Sequence, residues 1–189
     1  WWHVWDNYPY PEFNDAFYEA TDLLNCHSHM TYKMIKEKYP EKTNWIPHSL
    51  PKNLFFPLQQ DEIKNYKSQL LGEKKLDHFV GIWVNRNAKR KRPNDVLESW
   101  SIFLKELKRK KGHQKAILIM HTEPNDNEGP NLYKTSELLG IQQNVFFSRE
   151  RLDFEKMNVL YNISDFCLNM SYAEGFGLST LESMMTGTP

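Results

Sequence analysis

Two short apolar runs limit the fold: Phe79-Val-Gly-Ile-Trp-Val84 and Ala116-Ile-Leu-Ile-Met120. Each is too short for a buried helix and is bounded by polar residues, so each reads as a strand buried in a sheet. Between them, Pro93-Asn94 opens a helix that runs to about Lys110. Gly112 stops it, and its last turn is cationic, which suits the helix dipole. The pattern then repeats. Helix Leu132–Leu139, closed by Gly140, leads to strand Asn144–Phe147; helix Asp153–Asn162 leads to strand Asp165–Asn169. Alternation of this kind predicts a parallel α/β sheet.

A first alternating run lies upstream. Trp2–Trp5 reads as a strand, Asp6–Pro9 as a turn, Phe13–Ala20 as a helix and Asp22–Cys26 as a strand. Ser28 caps a helix to about Lys38 that Pro40 stops, and Asn44–Ile46 is another strand. Residues 58–75 are polar and charged, with a helix from Glu62 to Leu71. The expectation is therefore three parts: an α/β region over 1–57, a linker region over 58–75, and a second α/β domain over 76–189.

The segment Glu174-Gly-Phe-Gly-Leu-Ser-Thr-Leu-Glu182 carries the chemistry. It follows the strand Asp165–Asn169. Beyond its glycines, Leu178, Leu181, Met184 and Met185 recur at helical spacing. A strand, a loop with Gly175 and Gly177 and a helix start offer close backbone approach and free N–H groups for an anion. Glu174 and Glu182 could simply answer the helix dipole, or they could accept hydrogen bonds from a hydroxyl-rich ligand whose phosphate sits on the helix N-terminus.

The second candidate is Asn85-Arg-Asn-Ala-Lys-Arg-Lys-Arg-Pro93, the most charged stretch. Charge runs are usually solvated loops. This one lies just past the carboxyl end of a strand, where open α/β sheets bind ligands. Arg offers a planar fork to phosphate oxygens and Lys a point charge.

With Thr186-Gly-Thr-Pro189 after it, the Glu-x7-Glu segment resembles the signature of the retaining family-4 glycosyltransferases. The resemblance implies the GT-B fold: two Rossmann-like parallel-sheet domains, both incomplete here. It implies a hexosyl transfer from a nucleoside-diphosphate sugar, with no cofactor and no bound metal. Arg86 and Lys91 would grip the donor diphosphate, with Arg90 able to exchange roles with Lys91. Glu182 would bind the ribose hydroxyls and Glu174 the transferred sugar. Gly175, Phe176, Gly177 and Leu178 would face sugar and phosphate. The base would lie near Ser148 and Arg149. Glu174, Arg86 and Lys91 are the expected catalytic set. The segments His121-Thr-Glu-Pro with Gly129 and Leu132, and Leu160–Asp165, also look like the family's. Phe55-Phe-Pro57 fits the family's exit from the first domain, although His48-Ser49-Leu50 replaces its glycine turn. Many members keep a His where Trp5 stands here, so the expectation is that Asp6 or His3 supplies the polar group or that the relevant His lies upstream of Trp1.

Composition narrows the partners. Lys plus Arg and Asp plus Glu balance at 24 each, so nothing global points to nucleic acid. A nucleic-acid module built on Lys89–Arg92 and Lys105–Lys111 is opposed by Glu174 and Glu182, which repel phosphate. Cys26 and Cys167 imply no disulfide framework and a reducing, cytoplasmic compartment. No metal constellation is evident: His27-x-His29 has the wrong spacing for one helix face. The start at Trp1 and the stop at Pro189 lead us to expect a fragment. The acceptor, whether glycan, lipid or small molecule, is not legible, and the resemblance allows peripheral membrane association through parts outside the chain. The rival readings are another GT-B sugar-nucleotide enzyme such as an epimerase, and a nucleotide-sugar-binding protein without turnover.

Overall fold

A computed structural model describes residues 1–5 and 7–189. By internal contacts the chain divides into two units: Trp1–Ser49 with Ala173–Leu178, and Leu50–Tyr172 with Ser179–Pro189.

The first unit is a three-stranded parallel sheet. Its strands β1 (Trp2–His3), β2 (Leu24–Cys26) and β3 (Thr43–Trp45) lie in the order 1-2-3. Helix α1 (Asp15–Ala20) and helix α2 (His29–Lys38) connect them. Ser28 caps α2 by accepting from the Thr31 amide at 3.0 Å. Tyr18, Leu24, Cys26 and Ile35 form the small core. His3 is buried in it, its Nε2 2.8 Å from the Tyr18 hydroxyl.

The second unit holds four parallel strands: β4 (Phe79–Val84), β5 (Ala116–His121), β6 (Val145–Ser148) and β7 (Phe166–Cys167), in the order 6-5-4-7. Its helices are α3 (Gln60–Leu71), α4 (Pro93–Lys111), α5 (Leu132–Leu138), α6 (Phe154–Asn162) and α7 (Leu178–Met185). One core is built on Trp83, Leu97, Trp100 and Leu118. The other is built on Val80, Ile82, Ile119 and Tyr161. Apolar side chains thus leave β4 and β5 in both directions, as a sheet covered on two faces requires. Among the described residues no helix is long and apolar enough to cross a membrane.

The division falls earlier than the expected boundary after residue 57. Phe55 is buried in the second unit's core, with Leu50 and Leu54 packed beside it. The buried amides of α6 hold the backbone that follows: Asn158 Oδ1 accepts from the Phe56 N–H at 3.0 Å, and Asn162 Oδ1 from the Leu58 N–H at 2.8 Å. The segment expected as a linker is also packed, since Ile63, Tyr66 and Leu71 of α3 lie on the same core. Polarity on the outer face of α3 had masked this inner stripe.

Gly81 sits at the centre of β4 under Trp100 of α4. An added Cβ would stand 2.9 Å from the indole ring, closer than packed atoms tolerate. The prediction is that Gly81→Val lowers stability by about 1–3 kcal/mol through overpacking. Thermal melts of the two proteins measure it, and an unchanged melting temperature would show that Trp100 repacks freely.

Candidate active site

Strand register builds one edge of the second sheet. Val84 pairs with His121, and His121 with Ser148, so the chains leaving β4, β5 and β6 start from one row. The basic loop leaves β4, a polar loop of Glu123–Gly129 leaves β5, and Arg149 follows β6.

Asn87 ties the first two loops together. Its side chain is fully buried and donates to the Pro124 carbonyl at 3.0 Å and the Pro130 carbonyl at 2.8 Å. Gly129 passes so close that an added Cβ would stand 2.1 Å from Asn87 Oδ1 and 2.4 Å from its carbonyl oxygen. Only glycine fits there. Beyond Asn87, Lys89–Lys91 make one tight turn, and Arg92 adopts φ 53° before Pro93 starts α4. Arg92 is held by Asp95 at 2.8 Å and lies 4.7 Å over the Tyr172 ring, whose backbone N–H donates to the Arg90 carbonyl.

Arg86 projects from this frame with its side chain 60 % exposed. Its Nε donates to Asp126 Oδ2 at 2.8 Å and a terminal nitrogen to Oδ1 at 3.3 Å, while the other terminal nitrogen lies 3.1 Å from Glu128 Oε1. The Asp126 hydrogen bond, then its charge, holds the guanidinium above its ordinary pKa. Arg86 in turn holds Asp126 below the usual carboxylate range. Lys91 is only 7 % exposed, whereas its neighbour Arg90 is exposed. Between the loops lies a cavity of about 370 Å³ lined by Lys89, Arg90, Asn127 and Glu128.

After β6, the Ser148 hydroxyl meets His121 Nδ1 at 2.9 Å, and Arg149 reaches Glu123 at 3.3 Å. Thr122 Oγ1 and Asn85 Nδ2, at the ends of β5 and β4, are buried without a hydrogen-bond partner among the described residues.

Glu182 stands in the second turn of α7, beyond the reach of a first-turn dipole effect. Its Oε2 accepts from the buried Tyr161 hydroxyl at 2.6 Å. Burial, then the Glu182 charge, pushes the Tyr161 pKa up. The end of α7 is locked as well. Gly187 takes φ 82°, the Thr188 N–H donates to the Ser183 carbonyl, and Thr188 Oγ1 donates to the Tyr161 carbonyl at 2.8 Å.

Glu174, Gly175, Phe176, Gly177 and Leu178 pack with the first unit. There Phe176 meets His48 edge-on at 5.3 Å, and His48 stacks on His27 at 3.7 Å. Gly177 takes φ 86°, a conformation that favours glycine. In the same unit the Trp5 indole donates to the Pro9 carbonyl at 3.1 Å. His3 is buried with its Nε2 on the Tyr18 hydroxyl, and Asp6 lies outside the described residues.

The sequence model of the family described as "Glycosyl transferases group 1" matches residues 72–189, more than half of the chain. The chain belongs to the group 1 glycosyl transferases. Among curated proteins, no sequence matches this transferase significantly. Solved structures do resemble it. Anabaena Alr3699/HepE in complex with UDP and glucose is 18% identical, with a TM-score of 0.71, over 89% of this chain and 43% of that one. WaaG, a glycosyltransferase involved in lipopolysaccharide biosynthesis, is 18% identical with a TM-score of 0.71, over 93% and 46%. A glycosyltransferase from Rickettsia africae ESF-5 is 16% identical with a TM-score of 0.69, over 96% and 48%. The transferase thus has the GT-B type of α/β fold, and it spans less than half the length of these structures.

Sequence reasoning singled out Arg86 and Glu182 as candidates but not the residues they contact, Asp126, Glu128 and Tyr161, nor Asn87. The chain order carries one signal for the carboxylates: Asp126 and Glu128 crowd the loop after the second strand of the domain. Among the described residues no three His, Cys, Asp or Glu side chains group as metal ligands would.

Burial pushes the pKa of His121 down from 6.5, and burial followed by a neighbouring His does the same for His3 and His27. All three favour the neutral form when folded. The folded pKa therefore lies below the unfolded one, and the stability they contribute is full above about pH 6.5 and lost as pH falls below it. The lowered carboxylates titrate further down and are silent in this window. Melting temperatures should fall between pH 7 and 5, with less loss in His121→Gln; a flat profile would refute it.

Proposed function

We propose that the chain provides the donor side of a retaining, family-4 type transferase. It moves a hexosyl group from a nucleoside-diphosphate sugar to a glycan, lipid or small-molecule acceptor, without a metal and in the cytoplasm. The observation that carries this reading is Glu182: one carboxylate oxygen is fixed by Tyr161, and the side chain remains only partly buried. A carboxylate presented this way accepts hydrogen bonds from vicinal ribose hydroxyls and donates none. Arg86, with Lys91 or Arg90, supplies positive charge for the diphosphate. One structural neighbour, Alr3699/HepE, has been solved in complex with UDP-glucose, which supports a nucleotide sugar as ligand.

In this reading the bond between the anomeric carbon and the diphosphate oxygen breaks as the acceptor oxygen bonds to that carbon on the same face. The cationic loop and the N-terminus of α7 stabilise the charge that gathers on the leaving diphosphate, and the acceptor proton leaves with it. Glu174 contacts the transferred sugar, and the backbone of Gly175–Leu178 faces sugar and phosphate. Ser148 and Arg149 lie on the side of the base.

Two substitutions test the reading in full-length protein. In Glu182→Gln the Tyr161 hydroxyl still needs an acceptor and holds the amide oxygen, so the amide NH2 faces the ribose. Calorimetry should show nucleoside diphosphate weakened by about 1–3 kcal/mol, with no further loss for the 2′,3′-dideoxy ligand. An equal loss with both ligands would mean that Glu182 does not read the ribose.

Arg86→Ala should weaken nucleoside diphosphate at least tenfold and nucleoside hardly at all. Equal weakening of the two would assign Arg86 to folding or to the base. Binding that vanishes when a chelator is added would refute the metal-free reading.

A further inference from the structure

Arg86 is expected to meet a diphosphate, yet both edges of its guanidinium are already used. Asp126 takes Nε and one terminal nitrogen, and Glu128 takes the other. A bidentate carboxylate offers the same two-oxygen geometry as a phosphate.

The carboxylates are held where they are by the fold. Asp126 is mostly buried, its side chain 16 % exposed, and its Oδ1 also accepts from the Glu128 N–H at 3.0 Å. The Asp126 carbonyl accepts from the Gly129 N–H at 3.1 Å. Gly129 is packed against Asn87, the residue next to Arg86. The Glu128 carbonyl accepts from the Lys89 N–H at 3.3 Å. The loop that offers the cation and the loop that offers the anions are thus one assembly, and the cavity between them is walled by Glu128 on one side and Lys89 and Arg90 on the other.

We propose that Asp126 and Glu128 act as an internal anion that occupies Arg86 until a diphosphate displaces it, and so set how tightly the site takes its donor and releases the product. The inference rests on the donor-site reading above and adds two residues to it. Two carboxylates within 3.1 Å of the guanidinium also repel an incoming diphosphate. The bound diphosphate is therefore weakened twice, by lost pairing and by like charge. After transfer, the same carboxylates recapture Arg86 and help expel the nucleoside diphosphate.

The test uses full-length protein, with UDP and uridine as probes. Asp126→Asn keeps the Oδ1 acceptor of the turn and removes the charge; Glu128→Gln does the same on the exposed side. Each should bind UDP about threefold more tightly, and the pair about tenfold, the range for partly exposed ion pairs. Uridine affinity should not change, and the gain should vanish in an Arg86→Ala background. Product dissociation, followed by stopped flow, should slow by a similar factor.

Weaker UDP binding in Asp126→Asn would overturn the proposal and make the carboxylates positioning groups for Arg86. Unchanged UDP affinity in both variants would overturn it while leaving the donor site in place. Failure of wild type and every variant to bind UDP or another nucleoside diphosphate would overturn both. Should Asp126→Asn fail to fold, Glu128→Gln decides alone, since its side chain is exposed and supports no turn.

Discussion

Six residues of β4 pair in register with six of β5, from Phe79 opposite Ala116 to Val84 opposite His121. The rest of the second unit depends on that pairing. It decides which side chains enter the two cores and brings the loops after both strands to one edge. Shifting it by one residue would turn every core side chain to the other face. Trp100 packed on Gly81 opposes such a shift, because only one position along β4 lacks a side chain.

At that edge the fold trades charge for order. A loop with Lys89, Arg90, Lys91 and Arg92 in succession would repel itself if it were merely solvated. Instead Asn87 anchors its start, and Asp95 and the Tyr172 ring hold Arg92 at its end. The left-handed backbone at Arg92 is the cost of turning the chain from this loop into α4 within one residue. Pro93, which needs no N–H partner, is suited to the first helical position that follows.

Much of this was legible in the sequence. Strands β4 and β5 and helix α4 declare themselves through apolar runs, a Pro start and a Gly stop, all local signals. Strands β1 and β7 are shorter than the apolar runs suggested, because strand length is set by neighbours and not by the run itself. The packing of α3 was hidden because only Ile63, Tyr66 and Leu71 carry it. At the site, Arg86 and Glu182 were visible as motif residues. Their partners were not: Asp126 lies 40 residues from Arg86, and Tyr161 lies 21 from Glu182. No periodicity links residues at such separations. The burial of Lys91 was equally invisible, since a lysine inside a basic run reads as exposed whichever way the backbone turns.

Tyr161 grips α7 at two levels, accepting from Thr188 through its carbonyl and donating to Glu182 through its hydroxyl. Five residues of helix and cap are thereby spanned by one side chain and its own backbone, so this stretch behaves as a ruler with both ends fixed. Length changes between Glu182 and Thr188 would break one grip or the other. Length changes between Gly175 and Leu178 would leave both grips intact and displace Glu174 alone. The stretch from Glu182 to Thr188 is therefore held at both ends, whereas the glycine-bearing stretch that precedes Glu182 lies outside both grips.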